Sequence, residues 1–352
     1  MIDLVVPLQD GGVHAFGSVL CGALGSGAAR LVPLRSNSQE EWQPDAADAV
    51  FLQYSGYGYA KRGAPFWLIS ALKSRRAEVK KIGVYFHELY ATGPPWTSSF
   101  WLSPLQRYIC RALAELSDFW ITNRQASAQW LKERTSRRPH AVLPVFSCVG
   151  EGIRVSDARR PRIVVFGGAG LRQGAYRAVG ERLLPWARRM SLEVHDVGPA
   201  LEDANMRTRL RTQGVVEHGY LGDEAVSEFM LGTMFGLLAY PIGYAAKSSV
   251  LAAYCAHGLC PVVISTSHEQ ADGLVADGNY LPGLPFEIST AQVQRIGRAA
   301  NEWYAGHRVE VHARTLMRLA KHAQAIEECE VDAAGTAEET DPPPRPTRQC
   351  GS

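Results

Sequence analysis

Residues 215–264 read VVEHGYLGDEAVSEFMLGTMFGLLAYPIGYAAKSSVLAAYCAHGLCPVVI. Short apolar runs at Val215–His218, Gly236–Ala239 and Pro261–Ile264 alternate with helical stretches over Asp223–Leu231 and Ser248–His257. Upstream the series continues as a strand Ile163–Phe166, a helix Tyr176–Arg189 and a strand Leu192–Val197. Strands that take turns with helices build a parallel sheet with helices on its faces. The C-terminal half therefore reads as a doubly wound α/β domain.

Two turns of this half are suited to an anion. At Lys247-Ser248-Ser249 a glycine-bearing loop, Pro241–Ala246, enters a helix. Free N–H groups, two hydroxyls and one ammonium then face one point, which attracts a diphosphate. The plain structural alternative is that Ser248 caps the helix and Lys247 is a solvated charge. The second turn, Phe166-Gly-Gly-Ala-Gly-Leu-Arg-Gln-Gly174, lets a ligand approach the backbone at Gly168 and Gly170, with Arg172 beside them. A dinucleotide fold is a rival reading of that turn, with Asp196 as the ribose carboxylate. The glycine spacing is one residue off, and Asp196 lies farther along than the usual ~20 residues.

The N-terminal half shows the same alternation. Apolar strands fall at Ile2–Pro7, Ala49–Tyr54, Lys81–His87 and Phe119–Thr122, with helices at Leu105–Leu116 and Ala126–Glu133 and a closing strand at Val142–Phe146. Residues 147–161, glycine-bearing, charged and poor in apolar side chains, read as the crossing between domains. The expected organisation is a first domain 1–148, a linker 149–161, a second domain 162–290, a helical arm 291–329 and a disordered tail 330–352. The arm reads as nearly continuous helix over Gln292–Ala325, and the tail has almost no large apolar side chain to offset the entropy of ordering it.

Composition narrows the class. The chain has 352 residues, 46% hydrophobic and 20% charged, enough for two cores. A net charge of +2 with scattered bases argues against nucleic acid as the partner. Seven cysteines without CxxC spacing encode neither a disulfide framework nor a zinc site, and a reducing cytoplasm fits them. No export signal or spanning segment is read. The stretch Phe66–Arg76 with Lys80 and Lys81 pairs apolar residues with bases, which suits peripheral contact with an anionic membrane. A solvated helix face is the alternative.

The ordered set of strand, Gly219-Tyr220-Leu221, helix, strand, Tyr240-Pro241, polar loop, Ser-led helix, His257-Gly258 and Pro261-Val-Val resembles the donor half of GT-B glycosyltransferases, especially the retaining family-four group. The resemblance implies two doubly wound Rossmann-like domains facing a central cleft, with a C-terminal helical arm. It implies transfer of a hexosyl group from a nucleotide diphosphate sugar to a glycan or lipid-linked acceptor, as in surface polysaccharide synthesis, with retention and without cofactor or metal. By the same resemblance Gly12, Gly168, Gly170, Arg172, Tyr220, Tyr244, Lys247, Ser248 and Ser249 bind the donor. His87, at the end of a strand, contacts the transferred sugar; the adjacent Glu88 is a second catalytic candidate, or else a surface carboxylate or a helix N-terminal acid. Trp96 and Trp101, in the aromatic segment Gly93–Trp101, form a wall of the acceptor site, or else belong to the core. His14, His87 or Glu88 would supply the base if the reaction inverted.

This sequence also departs from the family. The paired glutamates of the family fall at Ala245 and Ala253, and its usual basic pair falls at Gly168 and Gln173. No Asp-x-Asp occurs. A catalytically weakened accessory protein that binds a sugar nucleotide or a partner transferase is therefore the second reading, and an NAD(P)-dependent oxidoreductase the third.

Overall fold

A computed structural model describes residues 1–8, 11–35, 47–135, 138–152, 159–267 and 270–321, without the side chains of 98 and 99. The described residues form two all-parallel sheets. The first takes strands β1 (Ile2–Pro7), β2 (Ala29–Leu34), β3 (Ala49–Tyr54), β4 (Lys81–Phe86), β5 (Phe119–Thr122) and β6 (His140–Val142) in the order β2-β1-β3-β4-β5-β6. The second takes β7 (Arg160–Phe166), β8 (Glu193–Val197), β9 (Val216–Gly219), β10 (Thr233–Ala239) and β11 (Cys260–Ile264) in the order β11-β10-β7-β8-β9. Every residue of β1, β3 and β4 is buried, as parallel strands covered on both faces must be.

Alternate side chains divide the first sheet between two layers. Val5, Val50, Leu52 and Val84 meet α3 (Phe66–Arg75), α4 (Ser98–Leu116) and α5 (Gln125–Lys132). Leu4, Phe51 and Tyr85 meet Phe16 and Leu20 of α1 (Gly12–Leu24) on the other side. In the second sheet Ile163, Val165, Phe235 and Leu237 pack under α6 (Ala169–Val179), α7 (Leu183–Arg189) and α8 (Ala204–Thr212). Its opposite face carries α9 (Asp223–Leu231) and α10 (Ser249–Ala256), and that core runs on without a break into the α1 side of the first sheet. A short helix, α2 (Gly56–Tyr59), follows β3.

Helices α1 and α8 were not read from the sequence, the helix expected over Tyr176–Arg189 is divided into α6 and α7, and three further elements differ. Strand β2 was not read from the sequence; it carries Pro33, whose missing N–H is tolerated because β2 is an edge strand. The closing strand ends at Val142; Val145 N donates to Ala246 O at 2.9 Å and Phe146 stacks on Phe16 at 4.0 Å, so the second half of that apolar run joins the two domains. The C-terminal helix is interrupted: α11 (Thr290–Ala305) ends at Gly306, and residues 309–321 form a second helix. The break lets that helix return to the first domain, where Ala313, Leu316 and Leu319 join the core and His312 Nε2 donates to Pro144 O at 2.9 Å. The expected tail 330–352 and linker residues 153–158 lie outside the described residues.

Both sheets reverse strand order beside their first strand, between β1 and β3 and between β7 and β10. Ligands of open α/β sheets bind at the carboxyl ends of strands at such points. The loops after β4 and β10 leave those ends and meet each other.

Candidate functional site

The loops after β4 and β10 enclose a cavity of about 480 Å³ between the domains, within the range of small-molecule sites. His87, Glu88, Tyr90, Thr92, Arg124, Tyr57 and Gln106 line it from the first domain, and Tyr244 and Lys247 from the second.

His87 directly follows β4. Its N–H donates to Tyr54 O at 3.0 Å, and its carbonyl accepts from Asn123 Nδ2 at 3.0 Å, which ties the residue to both neighbouring strand ends. The ring stacks on Tyr85 at 4.3 Å and meets Phe16 edge-on at 4.8 Å. Its Nε2 donates to Gln53 Oε1 at 2.9 Å, which leaves Nδ1 as the nitrogen with the lone pair. Burial, with the nearby His312 and Lys247, pushes its pKa down to about 3. A ring that weakly basic stays neutral at physiological pH. It is a poor general base, but it can hydrogen-bond a sugar hydroxyl.

Lys247 donates to Glu88 Oε1 across the cleft, the lysine mostly shielded and the glutamate partly open. Tyr244 lies under the guanidinium of Arg124, 3.8 Å from its ring centroid, and Lys247 Nζ is 5.6 Å from the same ring. A hydrogen bond from Thr92, and the charge of Arg124, lower the Tyr244 phenol from its ordinary value. Asp272 Oδ1 accepts from Gln125 N at 2.7 Å near by. A cavity carrying Arg124 and Lys247, with Glu88 already matched to the lysine, favours an anionic ligand.

The start of α10 behaves partly as a cap and partly as a seat. Ser248 is buried and its hydroxyl accepts from Leu251 N at 3.2 Å, so that hydroxyl is spent on the helix. Ser249 is half-buried at the first helical position, where the amides have no intrahelical acceptor. The glycine turn after β7 abuts the same place: Gly167 has φ 119°, and a Cβ there would lie 3.0 Å from Val250 Cγ2. Gly168 and Gly170 border open space, as does Gly12 at the start of α1.

Several sequence-derived assignments fall elsewhere. Arg172 is 1% exposed, and its guanidinium is bound to Asp196, Gly167 O and Pro199 O, so it is a buried strut and not a phosphate ligand. Asp196 gives its other oxygen to Tyr176 OH at 2.8 Å and is 4% exposed, so it is not presented to a dinucleotide ribose. Trp96 and Trp101 are 84% and 71% exposed and do not line the cavity; Tyr57 and Gln106 form the wall on that side. Tyr220 is 78% exposed, also off the cavity. Ala245 and Ala253 point into the core, with no carboxylate beside them from their own loop or helix. Sequence reading missed Gln53, which orients His87, and Arg124. Arg124 follows β5 at the sheet's carboxyl edge, and that position was the available signal.

The architecture defines a class: two parallel-sheet domains with C-terminal helices, which is the GT-B fold of nucleotide-sugar glycosyltransferases. Among solved structures the chain is similar to sucrose-phosphate synthase from Thermosynechococcus elongatus, with a TM-score of 0.61 and 12% identity over 92% of this chain and 99% of that one. It is similar to HepE of Anabaena, solved with UDP and glucose, with a TM-score of 0.57 and 12% identity over 90% of this chain and 98% of that one. AviGT4, a glycosyltransferase of avilamycin A biosynthesis, matches with a TM-score of 0.52 and 12% identity over 92% of this chain and 98% of that one. Neither a family model nor a curated protein matches the sequence.

Proposed function

We propose that the chain is a glycosyltransferase that moves a hexosyl group from a nucleotide diphosphate sugar to a glycan or lipid-linked acceptor, in surface polysaccharide synthesis at the cytoplasmic face of a membrane. The observation that carries the reading is the ammonium of Lys247 beside the first turn of α10, in a cavity where the other domain supplies His87 and Glu88. In this reading Lys247 and the free amides at Ser249 and Val250 stabilise charge developing on the leaving diphosphate, so the step needs neither a metal nor a cofactor. Preorganised donors of this kind lower a barrier by ~3 kcal/mol or more. The glycine turns at Gly12, Gly168 and Gly170 let the donor approach the backbone, and Tyr244 offers a ring face to it.

Glu88 takes a second role in the same reading. A bound diphosphate competes for Lys247 and releases the Glu88 carboxylate toward the sugar, partly making up for the glutamates that Ala245 and Ala253 replace. Neutral His87 hydrogen-bonds the sugar and does not act as a base, which favours retention. Thermal unfolding with a panel of nucleoside diphosphates, followed by assay of nucleotide release from pooled sugar donors, tests the proposal, because a ligand of the native state raises apparent stability. No binding by any nucleotide rejects it.

The second reading, an accessory subunit without turnover, is favoured by the absence of family carboxylates at Ala245 and Ala253. It predicts nucleotide binding with no sugar transfer. Turnover abolished by Lys247→Ala in a folded protein rejects it. The oxidoreductase reading has no support from Asp196, whose oxygens are both occupied.

A further inference from the structure

The outer face of α4 is aromatic. Trp101, Leu105 and Tyr108 recur at helical spacing on that face and are exposed, Trp101 and Tyr108 more than half. Trp96 stands in the loop before the helix at 84% exposure, Phe100 packs edge-on against Trp101 at 5.4 Å, and the exposed Phe66 of α3 lies 6.2 Å from Tyr108. Large apolar rings gathered on one outer face, with none of the other described residues over them, are costly in water and mark a contact surface.

The charges around the patch say what covers it. Lys61, Arg62, Arg107 and Arg111 are exposed on the same segment; Arg107 lies over the Tyr90 ring at 4.3 Å and Arg111 is paired with Glu115 at 2.7 Å. From Lys61 to Glu115 the chain carries nine Lys and Arg against three acidic residues, Glu78, Glu88 and Glu115. Glu78 is paired with Arg75 at 2.7 Å, Glu115 with Arg111, and Glu88 is turned into the cavity toward Lys247. Exposed Trp, Tyr and Phe on a segment with this excess of Lys and Arg match the interface of an anionic bilayer, where indole and phenol rings sit at the headgroup level. The expectation from sequence placed membrane contact on Phe66–Arg76; of that stretch Phe66 joins the patch, whereas Leu68 and Leu72 are core.

The same turn of α4 connects this surface to the cleft. Gln106, between the outward Leu105 and Arg107, points inward, accepts from Ala91 N at 2.7 Å and lines the cavity beside Tyr57. We propose that the aromatic face of α4 seats the protein on an anionic membrane with the mouth of the interdomain cavity at the lipid surface, so that the acceptor enters from the bilayer. The seating is independent of the transferase reading; only the entry of the acceptor rests on it. No helix among the described residues is long and apolar enough to cross a membrane, so the contact is peripheral.

Co-sedimentation of the full chain with vesicles tests this without any assay of turnover. Vesicles of phosphatidylcholine and phosphatidylglycerol in equal parts should bind the chain, and phosphatidylcholine alone should bind it at least about tenfold less. Replacing Trp96 and Trp101 together by serine should lower binding to the mixed vesicles by about tenfold or more. Both rings are exposed, so the unfolding temperature should not move, and a fall in it is met with the milder Trp101→Tyr and Arg107→Gln variants. Absence of binding to the mixed vesicles, indifference to anionic lipid, or undiminished binding of the double variant would each overturn the proposal. Self-association in sedimentation velocity that the double variant abolishes, without vesicle binding, would replace it with a second copy of the chain.

Discussion

Lys247 and Glu88 come from loops of different domains and neutralise each other in a partly shielded cleft. The pair sets two opposite expectations. Lys247→Ala removes a charge-assisted contact to phosphate and should weaken nucleoside diphosphate binding by about 10- to 100-fold, as titration calorimetry would read. Glu88→Gln removes the competitor for that ammonium, so it should tighten the same binding while lowering sugar transfer. Equal, unchanged affinity in both variants would remove Lys247 from the site. Arg172 belongs to the opposite category. Its guanidinium is wholly buried against Asp196, and truncation would strand that carboxylate. Arg172→Ala should therefore destabilise by about 3–5 kcal/mol in urea unfolding, with little specific effect on ligand affinity in whatever fraction stays folded.

At the scale of elements, α10 holds the first turn that the proposed site depends on. Each residue from Val250 to Ala256 is buried, and Tyr254 drops its hydroxyl between strands, donating to Leu237 O at 3.0 Å and accepting from Phe166 N at 3.1 Å. The ring lies flat over Gly236 of β10, where a Cβ would come within 2.5 Å of it. Gly236→Ala should thus cost about 1–3 kcal/mol by overpacking and shift the start of α10, seen as a lower unfolding midpoint together with weaker nucleotide binding. The helix itself was legible in the sequence, since Ser248 precedes an apolar run and His257-Gly258 ends it. Its burial on all sides was not, because the period of a fully buried helix carries no amphipathic signal. The break at Gly306 was equally hidden: helix-forming residues continue beyond it, and what decides the bend is the packing of residues 309–321 on the first domain.

The whole molecule stores an acid sensitivity at the junction of its domains. His87, His307 and His312 are buried there, and burial lowers their pKa values to about 3, about 4 and about 3. Below the unfolded value of ~6.5 the unfolded chain takes up protons at these sites and the folded chain does not. Stability conferred by keeping them neutral is therefore complete above that pH and is lost as pH falls toward the folded values. Each contributes up to ~1.4 kcal/mol per pH unit within the window. The unfolding free energy should drop steeply from pH 6.5 to 4, and His312→Gln, which can still donate to Pro144 O, should flatten that slope by about one proton. A slope unchanged by the substitution would take His312 out of the account.

The alternation of strands and helices that makes two parallel sheets, the glycine turns after β1 and β7, and the Ser-led start of α10 were decided by the sequence alone, because each depends on local spacing and on residues with special backbone or capping chemistry. Which side chains reach the cleft was decided only by the tertiary structure. Arg172 and Lys247 both follow glycine-bearing loops, yet one is locked under β8 by Asp196 and the other crosses to Glu88, 159 residues away in the chain. Trp96 and Trp101 read as cleft or core and lie outside, whereas Arg124, which read as nothing, lines the site and Gln53 holds His87 from behind it. Partners so distant in sequence meet through sheet register and domain packing, and no local pattern encodes either.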